Sequence, residues 1–160
     1  MESSVKLPQF PVEGGCQCGA VRYRLNAAPL GVYACHCRDC QRFSGTTHTI
    51  SMVMRAADME LIAGELVGFD KPADSGRTVR MLGCSRCGTK LWNEPLASPH
   101  MLVLKPGTLD DMSWAAPIGN IWTDRAQPWV HIDPAVPNFP GQPPDRQPLF
   151  DAFAAAVAKG

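Results

Sequence analysis

The chain has no run of about 18 apolar residues, the minimum for a membrane helix, and its opening MESSVKLPQFPVEGG shows neither a basic cluster nor an apolar core. A leader peptide and a membrane partner are therefore not expected, and the reading is of a soluble, cytoplasmic protein. An excess of charge is missing too, since fifteen Lys and Arg balance fifteen Asp and Glu for a formal net charge of 0. Such a molecule has no field that would gather phosphate backbones, so nucleic acid is not expected as a partner. No internal repeat of solenoid length is present. The four histidines, His36, His48, His100 and His131, form no recognisable triad with a nucleophile, and His48 reads as a structural histidine. Aromatics make up 8% of the chain, and the four tryptophans are expected mainly in the core.

Long helices have little room among 15 prolines and 14 glycines. Short strands are expected at 20–25, 32–35, 47–54, 60–63, 66–69, 78–82, 90–93 and 101–104, from β-branched content, partial alternation and Gly or Pro boundaries. A short helical turn is expected between Cys37 and Gly45, and a helix in the alanine-rich tail from Asp151 to Lys159. Residues 134–148 carry six prolines and are expected to wrap the surface as an irregular strap outside the sheet. The expected organisation is an N-terminal extension over 1–13, one β domain over 14–133, and the strap with its short helix over 134–160, packed on the same domain.

Seven cysteines stand out against this background. In a reducing compartment lasting disulfides are disfavoured, and metal binding becomes the better use of clustered thiols. Two knuckles, Cys16-Gln-Cys18-Gly19 and Cys84-Ser-Arg-Cys87-Gly88, each place glycine directly after the second cysteine. Glycine there can take positive φ and turn backbone N–H groups toward thiolate sulfurs. Together they supply four sulfurs, the number a closed tetrahedral structural zinc requires. A redox reading of Cys84 and Cys87 needs a following helix, whereas strand-like Thr89 to Trp92 follows.

The second cluster, Cys35-His36-Cys37-Arg38-Asp39-Cys40, offers three thiolates and no shaping glycine. Three protein ligands with one exchangeable position is the pattern of catalytic zinc. A closed alternative recruits His36 or Asp39, although in an extended CxC segment His36 should point away from both neighbouring sulfurs. Three thiolates on a divalent ion leave a charge near minus one, so Arg38 and Arg42, one helical turn apart, suit both the site and an anionic substrate. A solvated face explains them equally well. Gln41 and Ser44 add polar groups near the metal or serve ordinary turn chemistry.

The stretches "GGCQCGAVRY" at 14–23, "CHCRDCQRFSG" at 35–45, "CSRCGTKLW" at 84–92, "GTLDD" at 107–111 and "IWTDRAQPWV" at 121–130 resemble the glutathione-dependent formaldehyde-activating family, in the family's order. The resemblance implies a zinc-binding β-sandwich of short antiparallel strands. It implies a structural ion on Cys16, Cys18, Cys84 and Cys87 and a catalytic one on Cys35, Cys37 and Cys40, two ions per chain. The activity implied is a carbon–sulfur lyase or synthase acting on a small thiol such as glutathione with formaldehyde. Two departures stand near the site: Thr46-Thr47-His48 replaces a small-residue, proline and aromatic pattern, and Asn120 occupies a position where many members have histidine. A noncatalytic zinc-binding β module for protein contact is the competing function.

Overall fold

The computed structural model describes residues 4–73 and 76–160 of the 160-residue chain. Its elements run β1 (Val12–Gly15), β2 (Arg22–Leu25), β3 (Gly31–Cys35), α1 (Arg38–Ser44), β4 (Thr49–Arg55), β5 (Met59–Ala63), β6 (Leu66–Pro72), β7 (Thr78–Cys84), β8 (Lys90–Pro95), β9 (Met101–Leu104), β10 (Asn120–Ile121) and α2 (Gln147–Ala158), with three short 3₁₀ turns. They form a small sheet in the order β1-β2-β5 and a large one in the order β10-β3-β4-β9-β8-β7-β6.

The core lies between the two sheets. Val21, Tyr23 and Leu25 on the small sheet's side meet Met52, Met54, Leu91, Trp92, Leu102 and Leu104 from the large one, all at most 3% exposed. Tyr23 and Trp92 meet edge to face at 6.1 Å, and the Tyr23 hydroxyl pairs with Thr108 Oγ1 at 2.8 Å, so the buried phenol loses no hydrogen bond.

Strand side chains alternate between faces. While Val32, Met52, Leu102 and Leu104 point into this core, their neighbours Tyr33, Cys35, Val53 and Ile121 form a second apolar cluster on the opposite face, together with Cys37 and Leu149. Every residue of β3 is buried because both of its faces are covered. The large sheet thus carries a third layer, made by α1, the strap and α2.

All eight expected strands are present, with edges shifted by at most three residues. Two strands were not anticipated. β1 is half glycine, and β10 has two residues and pairs parallel to β3, so the sheet is mixed and not purely antiparallel. The strap does touch the sheet, through a bridge between Asn120 and Asn138 and the bonds Asn120 N–H to Pro137 O (2.9 Å) and Phe139 N–H to Asn120 O (3.0 Å). α2 starts at Gln147, four residues before the expected Asp151, because Pro148 sits in its first turn, where a missing N–H is harmless. Tryptophan placement is mixed: Trp92 and Trp114 are buried, but Trp129 is 75% exposed. Among the described residues no helix is long and apolar enough to cross a membrane.

Candidate metal centres and active-site cavity

Each knuckle is a strand-end turn closed by its own glycine. Gly19 (φ +78°) donates to Cys16 O, three residues back, at 3.0 Å, and Gly88 (φ +74°) donates to Cys84 O, four residues back, at 3.0 Å. The turns expose N–H groups to sulfur: Val21 N–H reaches Cys16 Sγ at 3.2 Å, and Arg86 N–H reaches Cys84 Sγ at 3.3 Å. β1–β2 and β7–β8 bring the two turns together, so that the sulfurs of Cys16, Cys18, Cys84 and Cys87 all lie within 4.8 Å of one another. The separations Cys16–Cys18 (3.5 Å) and Cys18–Cys84 (3.9 Å) are far beyond a disulfide, and they bracket the ~3.8 Å edge of a sulfur tetrahedron with metal–sulfur bonds of about 2.3 Å. Thr89, through its hydroxyl at 3.1 Å and its N–H, holds the Cys87 thiol down to about 5, which favours the deprotonated, ligating form.

The second cluster is built by the passage from β3 into α1. Cys35 ends the strand, Cys37 caps the helix, with its sulfur accepting Cys40 N–H at 3.3 Å, and Cys40 follows in the first turn. Gly45 (φ +69°) closes the other end of the helix as a C-cap, donating to Gln41 O at 2.9 Å. The three sulfurs lie within 4.8 Å of one another, and no histidine, carboxylate or further thiol among the described residues joins them. His36 is 1% exposed and turned away, with Nε2 at 3.0 Å from Asn120 Oδ1 and its ring 4.9 Å from that of His48. Asp39 is paired with Lys71. Neither competing fourth ligand is therefore offered to the trio.

Mutual contact decides how the three thiols share charge. Contacts with Cys35 and Cys37, and then the nearby Lys105 ammonium, pull Cys40 well below the usual thiol range, while its sulfur neighbours and burial push Cys35 far above it. Lys105 has no carboxylate partner among the described residues, and its Nζ stands 3.5 Å from Thr49 Oγ1 and 5.6 Å from the centre of the Phe43 ring. Burial lowers the affinity of Lys105 for its proton, and the charges of Cys40, Cys35 and Cys37 oppose that loss.

A cavity of about 140 Å³ opens above the trio, lined by all three cysteines. Its floor is the outward face of the large sheet, as the register shows: Tyr33 stands across from Ser51, Val53 from Val103, and Asn93 from both Val103 and Met81. Asp39 and Phe43 of α1, Trp122, and Gln142 and Arg146 of the strap form its walls. Trp122 is the one non-glycine residue with positive φ (+58°) among the described residues, and its indole N–H donates to Gln142 Oε1 at 3.4 Å.

The polar residues expected to contact substrate stand elsewhere. Arg38, Gln41 and Arg42 border a groove on the far side of α1, Arg42 also borders the groove that adjoins the cavity at Asp39, Phe43, Lys71 and Met81, and Ser44 borders another; none of the four lines the cavity with the cysteines. Gln41 is buried and spent on structure, donating to His36 O at 2.6 Å and Arg125 O at 2.9 Å and accepting from Arg38 and from Gln127 at 3.1 Å. Ser44 Oγ donates to Cys40 O at 2.8 Å. Helical geometry turns positions 38 and 42 aside, whereas Gln41 and Ser44 share the stripe of Cys37 and Cys40 and are spent on backbone carbonyls. The cavity's polar groups come instead from Lys71, Lys105, Tyr33, Ser51, Asn93 and Arg146.

Two cysteine clusters able to hold metal ions, one of four sulfurs and one of three beside a cavity, define a β-sheet protein with two candidate metal centres. The chain belongs to the glutathione-dependent formaldehyde-activating enzyme family, whose model matches residues 11–125. Comparison with curated proteins gives no significant match. Among solved structures, the crystal structure of a Rhodobacter sphaeroides protein, a structural genomics target, is similar in fold, with 16% identity, a TM-score of 0.51, and coverage of 79% of this chain and 98% of that one.

Proposed function

We propose that the chain is a carbon–sulfur lyase of the formaldehyde-activating type, joining a small thiol, nominally glutathione, to formaldehyde at the trio, with zinc on both clusters. The observation that carries this reading is the trio's geometry: three converging sulfurs with no fourth protein ligand among the described residues, opening on a cavity. Cys16, Cys18, Cys84 and Cys87 would hold the closed ion, and Cys35, Cys37 and Cys40 the other. Bound to the trio, zinc supplies a means of keeping a thiol ionised at neutral pH or of polarising a carbonyl oxygen.

The reaction needs no oxidant. The thiol sulfur bonds to the aldehyde carbon, the carbonyl π electrons pass to oxygen, and oxygen takes the proton the thiol gave up. This chain's residues prepare the place for it. β3 and α1 fix the spacing of the three ligands, Lys105 offsets the negative charge of the sulfurs, and Val79, Met81, Val103 and Ile121 exclude water from the cavity, where charge interactions gain strength. No separate base is required when the thiol arrives ionised.

Metal analysis with zinc-edge absorption tests the proposal. Two zincs per chain are expected, one of which gains a sulfur ligand when thiol is added. Cys37→Ser should bring hydroxymethyl-thiol formation down to the uncatalysed rate while the circular dichroism spectrum stays that of the parent. One zinc per chain, or a coordination shell indifferent to thiol, defeats the proposal and leaves a binding module.

A further inference from the structure

The outer edges of the two sheets are treated differently. β10 is bridged by Asn138 of the strap, and β1 by Leu109, with Asp110 N–H also bonding Glu13 O at 3.0 Å. β5 is interrupted: Ala63 stands across from Arg22 and Leu61 from Tyr23, so Ile62 is an extra residue that bends the strand. Covers and bulges of this kind keep a sheet edge from pairing with another chain. β6 has neither. It runs from Leu66 to Pro72 in unbroken register with β7, and nothing among the described residues bonds to its outer side.

The ladder fixes which backbone groups that edge offers. In an antiparallel pair, residues alternate between those that bond the neighbouring strand and those whose N–H and C=O point the other way. Ser85 N–H bonds Glu65 O at 3.1 Å, while Cys84 N–H turns to the β8 side, to Thr89 O at 2.9 Å. Glu65, Val67, Phe69 and Lys71 therefore face β7. Leu66, Gly68 and Asp70 turn their N–H and C=O groups outward, where none has a partner among the described residues.

Side chains identify the occupant. Val67 and Phe69 are 55% and 66% exposed on the cavity side of the sheet, so the middle of the edge is apolar. Opposite charges flank it: Glu65, which is exposed and has no salt bridge among the described residues, and Lys71, whose pair is Asp39. A second β6 laid antiparallel about a two-fold axis at Gly68 sets Val67 against Phe69 and Glu65 against Lys71, each twice over. The outward residues then meet as Gly68 with Gly68 and Leu66 with Asp70, which exchange about six backbone hydrogen bonds. Gly68 has no side chain to obstruct the axis. Among the possible registers, only this one brings Glu65 opposite Lys71, whereas an axis at Asp70 opposes two like carboxylates.

We propose that β6 is a dimerisation edge, on which a second copy of this chain adds its own β6 antiparallel to make one continuous sheet through the two-fold axis. Such a contact is isologous, so it closes at two copies. It brings Glu65 of the second copy beside Lys71, which lines the cavity of the trio, and it joins the groove bounded by Phe43, Phe69 and Lys71 to its counterpart across the axis. Dimerisation by this edge is independent of the chemistry at the trio.

The test uses the full zinc-loaded chain under reductant, so that thiols do not cross-link it. Sedimentation equilibrium should show a reversible step from the 17.3 kDa chain to twice that mass as concentration rises. Amide exchange at Leu66, Gly68 and Asp70 should be slower by about tenfold or more in the dimer than in the dilute monomer, and unchanged at Val67 and Phe69, whose N–H groups already bond β7. Gly68→Pro deletes an N–H that the fold does not use, so it should abolish the dimer while keeping the circular dichroism spectrum of the parent. Glu65→Lys, at an exposed position, should weaken the dimer about tenfold, because two attractive pairs become repulsive. A parent that is monomeric at every concentration, a dimer that forms without protecting Gly68, or an open-ended series of masses overturns the proposal. Glu65→Lys dimerising as tightly as the parent overturns it as well, since it denies the register. The exchange pattern and Glu65→Lys decide the matter even if Gly68→Pro fails to fold.

Discussion

Replacing Cys84 with serine tests the idea that the quartet is a clip. Its four sulfurs join the turn after β1 to the turn after β7, and the Cys18–Cys84 contact spans 66 positions of chain. Fastening residues that far apart removes entropy from the unfolded chain, and the closure relation used for cross-links gives about 4 kcal/mol for a loop of roughly 66 residues. In a domain of this size each kcal/mol moves the melting temperature by about 2–4 °C, so a fall of about 8–16 °C is expected for Cys84→Ser in zinc-replete buffer. Cys84 is 1% exposed, and its sulfur also accepts the Arg86 and Cys87 N–H groups, so serine cannot restore the site by shifting outward. Circular dichroism melting, with zinc counted on the same sample, makes the measurement. A chelator, which removes both ions, should lower the parent protein at least to the variant's melting temperature. If Cys84→Ser melts within about 2 °C of the parent, or still holds two zincs, the clip reasoning is wrong.

Two further outcomes follow from the same geometry. Gly88 sits at φ +74° with no atom within 4 Å of where a Cβ would stand, so Gly88→Ala should cost about 1 kcal/mol from backbone strain alone, read by urea unfolding. Gly88→Asn should recover part of it, since asparagine tolerates that conformation, and equal losses in the two variants would point to a steric cause instead. The Arg22 guanidinium, at 2.9 and 2.5 Å, holds the Asp110 carboxyl below the usual carboxylate range. The sign follows from linkage: a carboxyl with a depressed folded-state pKa adds stability above its unfolded value near about 4, and that stability is lost as the pH falls through the folded-state value. Asp110 is 57% exposed, so Asp110→Asn should cost under about 1 kcal/mol at pH 7 and nothing at pH 2. A cost that is the same at both pH values would refute the assignment to charge.

Both clusters were legible because their ligands are local. Cys16 with Cys18, Cys84 with Cys87, and Cys35 with Cys37 and Cys40 are set by turns of two to six residues, each marked by its own glycine or helix cap. The strands were legible from the glycines and prolines that bound them; that the strand over Val32-Tyr33-Ala34-Cys35 is covered on both faces is a finding of the fold. What covers the second face was not legible, because a proline-rich strap has no periodicity to read.

The sequence by itself determined where sulfur able to hold metal is clustered, since spacing and backbone conformation are properties of short segments. The tertiary structure alone decided what looks at the trio. Proximity in sequence suggested Arg38 and Arg42, but the helix turns them away, and sheet register brings Lys105, Asn93 and Tyr33 to the site while the strap delivers Arg146. Substrate contacts depend on which face a residue takes and on which distant strand is its neighbour, and pairing across the chain fixes both.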